Sequence, residues 1–277
     1  MKTIVTHLSV DLDAITACWL IKKYLPGWKD ADLAFLPAGS TLGGKQPDAD
    51  PNIIHVDTGF GKFDHHQTQE RTSASKLFFD FLCSEELVKD KEQKALEKIV
   101  NFANDTDHFG EVYFPQPDND RYDFCLHQII FGLRSIEGND AKVVELSSKL
   151  LDAALQLMKN KVSAEEELKK GYEFKSKWGR SIVLETSNQE SIRLGLKSGF
   201  SFVATKDPKK GSIRIKTLPE KKYDLTILYD KITKKDKKGT WFFHVSKNML
   251  LNASSKNPNF IPSTITIQQL IEIIKGI

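Results

Sequence analysis

Residues 57–67 read "DTGFGKFDHHQ". Asp57 opens the stretch, and Asp64, His65 and His66 stand side by side near its end. Charged and imidazole groups crowded in this way repel one another and are costly to desolvate unless something binds between them. A divalent metal ion is the usual occupant. The run just before, "NIIHVDT" (52–58), is short and β-branched and ends in an acid, so it reads as a buried strand that delivers Asp57 at its carboxyl end.

The same pattern recurs on both sides. "KTIVTH" (2–7) is another short apolar strand, and it ends on His7. "DAITACWLIKKYL" (13–25) has apolar residues at helical spacing and stops before Pro26-Gly27. "DLAFLPA" (32–38) is a third strand. "SASKLFFDFL" (73–82) and "EQKALEKIVNFAN" (92–104) are amphipathic helices. Strands alternating with helices imply an α/β fold with a parallel, doubly wound sheet covered on both faces. Ligands of such sheets bind outside the carboxyl ends of the strands, where His7 and Asp57 fall.

Four elements therefore converge. "HLSVDLDAI" (7–15) supplies His7, Asp11 and Asp13 as H-x3-D-x-D. Asp57 follows, then Asp64-His65-His66. "NDTDHF" (104–109), at a helix end, adds Asp105, Asp107 and His108. Mixed oxygen and imidazole donors suit Mn²⁺, Co²⁺, Zn²⁺ or Mg²⁺. Four or more acids with two or three imidazoles exceed the needs of one ion. They match two ions sharing a bridging carboxylate, roughly 3.5–4 Å apart in two-metal hydrolases.

In this order the motifs resemble the DHH phosphoesterase superfamily, which includes RecJ-type exonucleases, oligoribonucleases and manganese-dependent family II pyrophosphatases. The stretch "FDHHQTQERTSASKLFFDFL" is most similar to the melanocyte-proliferating-gene branch, itself like 3′–5′ RNA exonucleases. The resemblance is specific over residues 1–110. It implies that two Mn²⁺ ions are bound, with Mg²⁺ or Co²⁺ as substitutes. His7 and Asp11 would hold the first ion, Asp13 and His65 the second, and Asp57 would bridge them. His66 would contact substrate phosphate, and Asp64 would orient the imidazole beside it. For the fourth motif, Asp105 fits the oligoribonuclease spacing and Asp107 the melanocyte branch, and both stay open.

The second half departs from that pattern, because the superfamily's glycine-rich GGGH-like substrate motif is missing. The nearest equivalent is "WFFHVSKNMLLNASSKNP" (241–258). There His244, Lys247, Asn252, Ser254, Ser255 and Lys256 either line a phosphate or nucleotide pocket or form an edge strand and polar loop. Residues 140–171 read as one or two helices. From Trp178 onward "RSIVLET", "FSFVATK", "GSIRIKTL", "YDLTILYD" and "TWFFHV" read as strands and "QESIRLGLKSG" as a helix. The expected organisation is a metal-binding phosphoesterase domain at 1–138, a helical connector at 139–175, and a smaller α+β substrate-binding domain at 176–277.

Charge follows the same division. Residues 1–110 hold 12 Lys/Arg against 17 Asp/Glu and five of the seven histidines, whereas residues 201–277 hold 15 against 6. An acidic, His-rich half suits cations, and a basic half suits phosphates. The Lys run "KKDKKG" (234–239) also reads as a solvated loop tip. Trp241, Phe242 and Phe243 would stack bases, which favours a nucleotide or single-stranded oligonucleotide over pyrophosphate. The competing functions are a manganese-dependent pyrophosphatase and a non-catalytic nucleotide- or metal-binding module. His55 reads as a neighbour of the site or a core histidine, His108 as a helix cap, and His127 as structural. Gly39, Gly43 and Gly44 in "AGSTLGGK" lack the trailing Lys-Ser/Thr of a P-loop.

At 40% hydrophobic and 28% charged residues, the composition is that of a globular domain. No run approaches the ~20 apolar residues of a membrane helix, and "MKTIVTH" lacks a signal peptide's apolar core. Cys18, Cys83 and Cys125 are odd in number and far apart, which fits a reducing cytoplasm rather than a disulfide framework. A homodimer is compatible with all of this.

Overall fold

"TIVTH" forms β1 (Thr3–His7), whose three central residues are all buried. Consecutive burial of Ile4, Val5 and Thr6 means that both faces of the strand are covered, as in parallel sheets. β2 (Asp32–Leu36) and β3 (Ile53–His55) pair with it in parallel on either side, in the order β2-β1-β3. The computed structural model describes residues 1–252 and 257–277. They divide into two compact units, Met1–Lys159 and Asn160–Ile277.

In the first unit, α1 (Leu12–Tyr24) carries the chain from β1 to β2. Asp11 caps it by accepting a hydrogen bond from the Ala14 amide, and residues 12–21 are all buried. The return from β2 to β3 has no α-helix, only a 3₁₀ turn at Leu42–Gly44. α2 (Ala74–Ser84) and α3 (Asp90–Asp107) pack on α1 and on each other. Phe78, Leu82, Leu96 and Val100 are fully buried between them. α4 (Leu126–Glu137) follows, then α5 (Asp140–Lys170), a single helix whose residues from Asn160 onward belong to the second unit; the helical connector expected to reach residue 175 stops at Lys170, and Tyr172–Ser176 is a strand. The Asp140 carboxylate accepts from the Ser9 and Val10 amides at 2.9 and 3.2 Å, which ties the start of α5 to the loop after β1.

The second unit is a six-stranded mixed sheet, β4-β5-β6-β7-β9-β8. Its strands are β4 (Tyr172–Ser176), β5 (Gly179–Glu185), β6 (Phe202–Lys206), β7 (Ile213–Thr217), β8 (Phe242–Phe243) and β9 (Met249–Leu251). Among the described strands of this sheet only β5 and β6 run parallel, joined through α6 (Glu190–Lys197). α7 (Thr226–Lys235) and α8 (Ile267–Lys275) bury Leu228, Ile232, Leu270 and Ile274 in a core with Trp178, Phe202 and Ile215. The expected strand "YDLTILYD" is instead the start of α7. Its alternating Tyr223, Leu225, Ile227 and Tyr229 imitate a strand, but the buried set is Leu225, Leu228 and Ile232, at helical spacing. Asp224 fixes the helix start by accepting from the Thr226 amide at 2.7 Å.

Candidate metal centre

The carboxyl ends of β1 and β3 place His7 and Asp57 beside each other, with His7 Nε2 3.2 Å from Asp57 Oδ2. His7 Nδ1 lies 2.8 Å from the Leu8 carbonyl, which only accepts, so Nδ1 carries the proton and Nε2 faces the acids. Asp11, at the start of α1, brings its Oδ2 to 3.9 Å from the same nitrogen. On the other side, Asp57 Oδ1 faces His65 Nε2 at 3.2 Å, and His65 Nε2 is 3.6 Å from Asp107 Oδ2 at the end of α3. Among the described residues, three groups have donor atoms within 4.8 Å of one another: His7, Asp11 and Asp57; Asp57, His65 and His66; His65, Asp107 and His108. Asp57 belongs to two of them, one oxygen toward each histidine.

The loop from Asp57 to His66 is built around two buried acids. Asp57 takes a left-handed backbone with φ 56°, a strained conformation that Asp tolerates better than most residues. Asp64 turns inward. Its Oδ2 accepts from the Phe60 amide at 2.7 Å, and its Oδ1 accepts from the His66 amide at 3.1 Å and from His66 Nδ1 at 2.7 Å. The imidazole that Asp64 orients is thus that of His66, which is 52% exposed, whereas the His65 side chain is 12% exposed.

Two atoms at the centre lack hydrogen-bond partners although they are buried: Asp57 Oδ1 and His65 Nε2. They stand at ion-pair distance without the angles of a hydrogen bond. Buried polar atoms are normally satisfied, so this pair fits a donor set arranged for a cation. The electrostatics agree. Burial opposes ionisation of Asp57, but His65 and His7 hold its carboxyl well below the usual carboxylate range. Burial works against charge on His7, yet Asp57, the Leu8 carbonyl and Asp11 raise it to about 9. The facing Asp57, with Asp107 and Asp13, likewise raises His65 to about 9 against burial. Asp11 and Asp107 are pushed up, first by burial and then by neighbouring acids, Asp57 foremost. Three acids, Asp11, Asp57 and Asp107, sharing one partly dry site is an arrangement that dications relieve.

Asp13 and Asp105 are not in these groups. Asp13 is fully buried and raised to about 7 by burial and by the charges of Asp57 and Asp107. Its oxygens are taken by the start of α2. They accept from the Ser73 hydroxyl at 2.7 Å, from the Ala74 and Ser75 amides at 2.7 and 3.0 Å, and from the Ser75 hydroxyl. Asp105 pairs with Arg71 at 2.7 Å on the exposed side. It fits there because position 110 is glycine; a Cβ at Gly110 would collide with its carboxylate. His108 falls in the third group, but its Nδ1, 3.6 Å from Asp107 Oδ2, donates to the Asn104 carbonyl at 2.8 Å, so that nitrogen carries the proton and caps α3. His55 accepts from the Leu42 amide and braces the 3₁₀ turn. His127 is buried against the Phe102 ring.

In the second unit the expected substrate residues are dispersed. His244 bonds Ser246 within a local turn, and Lys247 pairs with Asp224 at 3.1 Å. Asn252 is buried, donating to the Thr240 and Ile261 carbonyls and accepting from the Ser263 amide, so its amide braces the backbone. Ser254, Ser255 and Lys256 lie outside the described residues. Trp241 donates to Asp236 and Phe243 stacks on Tyr229, which leaves Phe242 exposed among the three aromatics.

No protein-family model and no curated protein matches the sequence. Among solved structures, the chain is similar to RecJ from Thermus thermophilus, determined in complex with Mg²⁺, at 12% identity and a TM-score of 0.33. The match covers 99% of this chain and 49% of that one, so the chain spans about half of that neighbour's length. No helix of the described residues is long and apolar enough to cross a membrane.

Proposed function

We propose that the chain is a two-metal-dependent phosphoesterase of the DHH type, nearest the melanocyte-proliferating-gene branch, and that it hydrolyses a phosphodiester in a nucleotide or short single-stranded oligonucleotide. One observation carries this reading: Asp57 offers one carboxylate oxygen to His7 and the other to His65, and the two buried atoms of the second contact have no hydrogen bond. His7 and Asp11 would hold one ion, His65 and Asp107 the other, and Asp57 both. Asp13 and Asp105 fall outside this set because their oxygens are committed to α2 and to Arg71. Manganese suits such mixed nitrogen and oxygen donors, with Mg²⁺ or Co²⁺ as substitutes.

Bound divalent ions supply a nucleophilic hydroxide at neutral pH and neutralise charge on phosphorus-bound oxygen. The chain's own contribution is position. Leu8 fixes the tautomer of His7, and Asp64 holds the half-exposed His66 where it can meet a phosphate. The basic segment 201–277 supports a substrate-binding role for the second unit.

The test is hydrolysis of a short single-stranded RNA and of pyrophosphate by the full chain with Mn²⁺, Mg²⁺ and Co²⁺, with and without a chelator. Chelator-sensitive cleavage of RNA is the expected result. Cleavage of pyrophosphate alone would make the protein a pyrophosphatase. Stoichiometric metal binding with no turnover on either substrate would make it a binding module.

A further inference from the structure

Among the described residues, only two aromatic side chains sit on a left-handed backbone: Phe60, at φ 59°, and Phe109, at φ 53°. A bulky residue in this region is a genuine outlier, and such strain persists where the surroundings impose it. Both rings are exposed, Phe60 by 58% and Phe109 by 73%. Both also adjoin the metal centre along the chain. Phe60 lies between Asp57 and Asp64, and its amide is held by the Asp64 carboxylate that also holds His66. Phe109 directly follows His108, and its amide donates to the Thr106 carbonyl at 3.1 Å. The Phe60 ring lies over Gly39, where a Cβ would come within 3.2 Å of it. Two strained positions therefore turn phenyl faces to solvent next to groups suited to cations.

We infer that Phe60 and Phe109 are base-stacking faces that select a strand with nucleobases over pyrophosphate. The inference rests on the phosphoesterase reading for the identity of the site. Ions would engage the phosphate, which leaves the bases to be gripped by something else. An exposed aromatic face grips any base, because every base has a π-face. The stacking candidates of the second unit are largely committed elsewhere, which leaves these two rings as the aromatic surface nearest the proposed chemistry in sequence.

The test is isothermal titration of the full, Mn²⁺-loaded chain with a short phosphorothioate oligothymidylate and with an abasic strand of the same length. The wild type is expected to bind the base-bearing strand more tightly. Phe60→Ala and Phe109→Ala should each weaken that binding about 5- to 100-fold, with no comparable loss on the abasic strand and unchanged metal content. Phe60→Trp and Phe109→Trp should retain it. Equal binding of the two strands by the wild type, binding of neither, or equal losses on both in the alanine variants would overturn the inference. So would a shift from dimer to monomer on sedimentation with strand binding intact, which would make the rings a contact between copies. A wild type that shows the expected binding but cleaves no phosphoester would refute the phosphoesterase reading and leave the stacking role standing.

Discussion

His66 Nδ1 lies 2.7 Å from Asp64 Oδ1, while His65 Nε2 faces Asp57 and Asp107 at 3.2 and 3.6 Å. Adjacent histidines thus point to different partners. On the proposed assignment, His65→Ala removes an ion ligand and should lower metal affinity by more than the 10- to 100-fold typical of losing a supporting contact. His66→Ala should leave metal content near normal and cut turnover by about 10²–10³. Elemental analysis beside turnover at saturating Mn²⁺ separates the two. Loss of metal from His66→Ala with retention in His65→Ala would invert the assignment.

Asp105 and Asp107 lie on one turn of α3 but face different groups. Asp105→Ala breaks an exposed pair with Arg71, which is worth about 0–1 kcal/mol, and should leave metal affinity within a few-fold of wild type. Asp107→Ala removes a carboxylate from the group with His65 and His108 and should weaken one ion strongly. Metal titration followed by calorimetry checks this; a strong loss in Asp105→Ala alone would reverse the choice.

Protons and ions compete for the same nitrogens. In the metal-free protein His7 and His65 are raised to about 9 from 6.5. The folded state then keeps protons that the unfolded chain releases, so their contribution to stability is complete below pH 6.5 and lost as pH rises through 9. Asp13, raised to about 7 from 3.8, acts with the same sign at lower pH. Chelator-treated protein should therefore melt at a lower temperature at pH 9 than at pH 6.5. Mn²⁺ should raise the melting temperature more at pH 9, where fewer protons must leave. A Mn²⁺ shift that is independent of pH would show that the metal displaces no protons from these imidazoles.

The first unit is legible in its sequence because its signals are local. Short β-branched runs mark β1 and β3, buried in β1 and partly buried in β3, and the acids and imidazoles stand at their ends. What escapes is set by distant contacts. Nothing around Asp13 announces that Ser73 and Ser75, some sixty residues on, will occupy its oxygens. α4 buries only His127 and Ile130 while Ile129, Phe131 and Ile136 stay exposed, so its apolar residues form no inward stripe to read. α7 is mistaken for a strand because tyrosines and leucines alternate across its first turns. α8 is different: Thr266 and Gln269 form a capping box, a local signal that the sequence reading passes over.

The shared carboxylate of Asp57 is the centre of the account, and Asp57→Asn tests it most directly. Asn tolerates a left-handed backbone as Asp does, so the loop should keep its shape while the charge between the two histidines is lost. The measurement is metal stoichiometry by elemental analysis, read beside turnover at saturating Mn²⁺ on a short RNA. The wild type should carry two ions per chain. Asp57→Asn should carry fewer than two, with circular dichroism unchanged and turnover reduced by about 10²–10³ or more. Two ions retained and turnover at the wild-type rate would contradict the account.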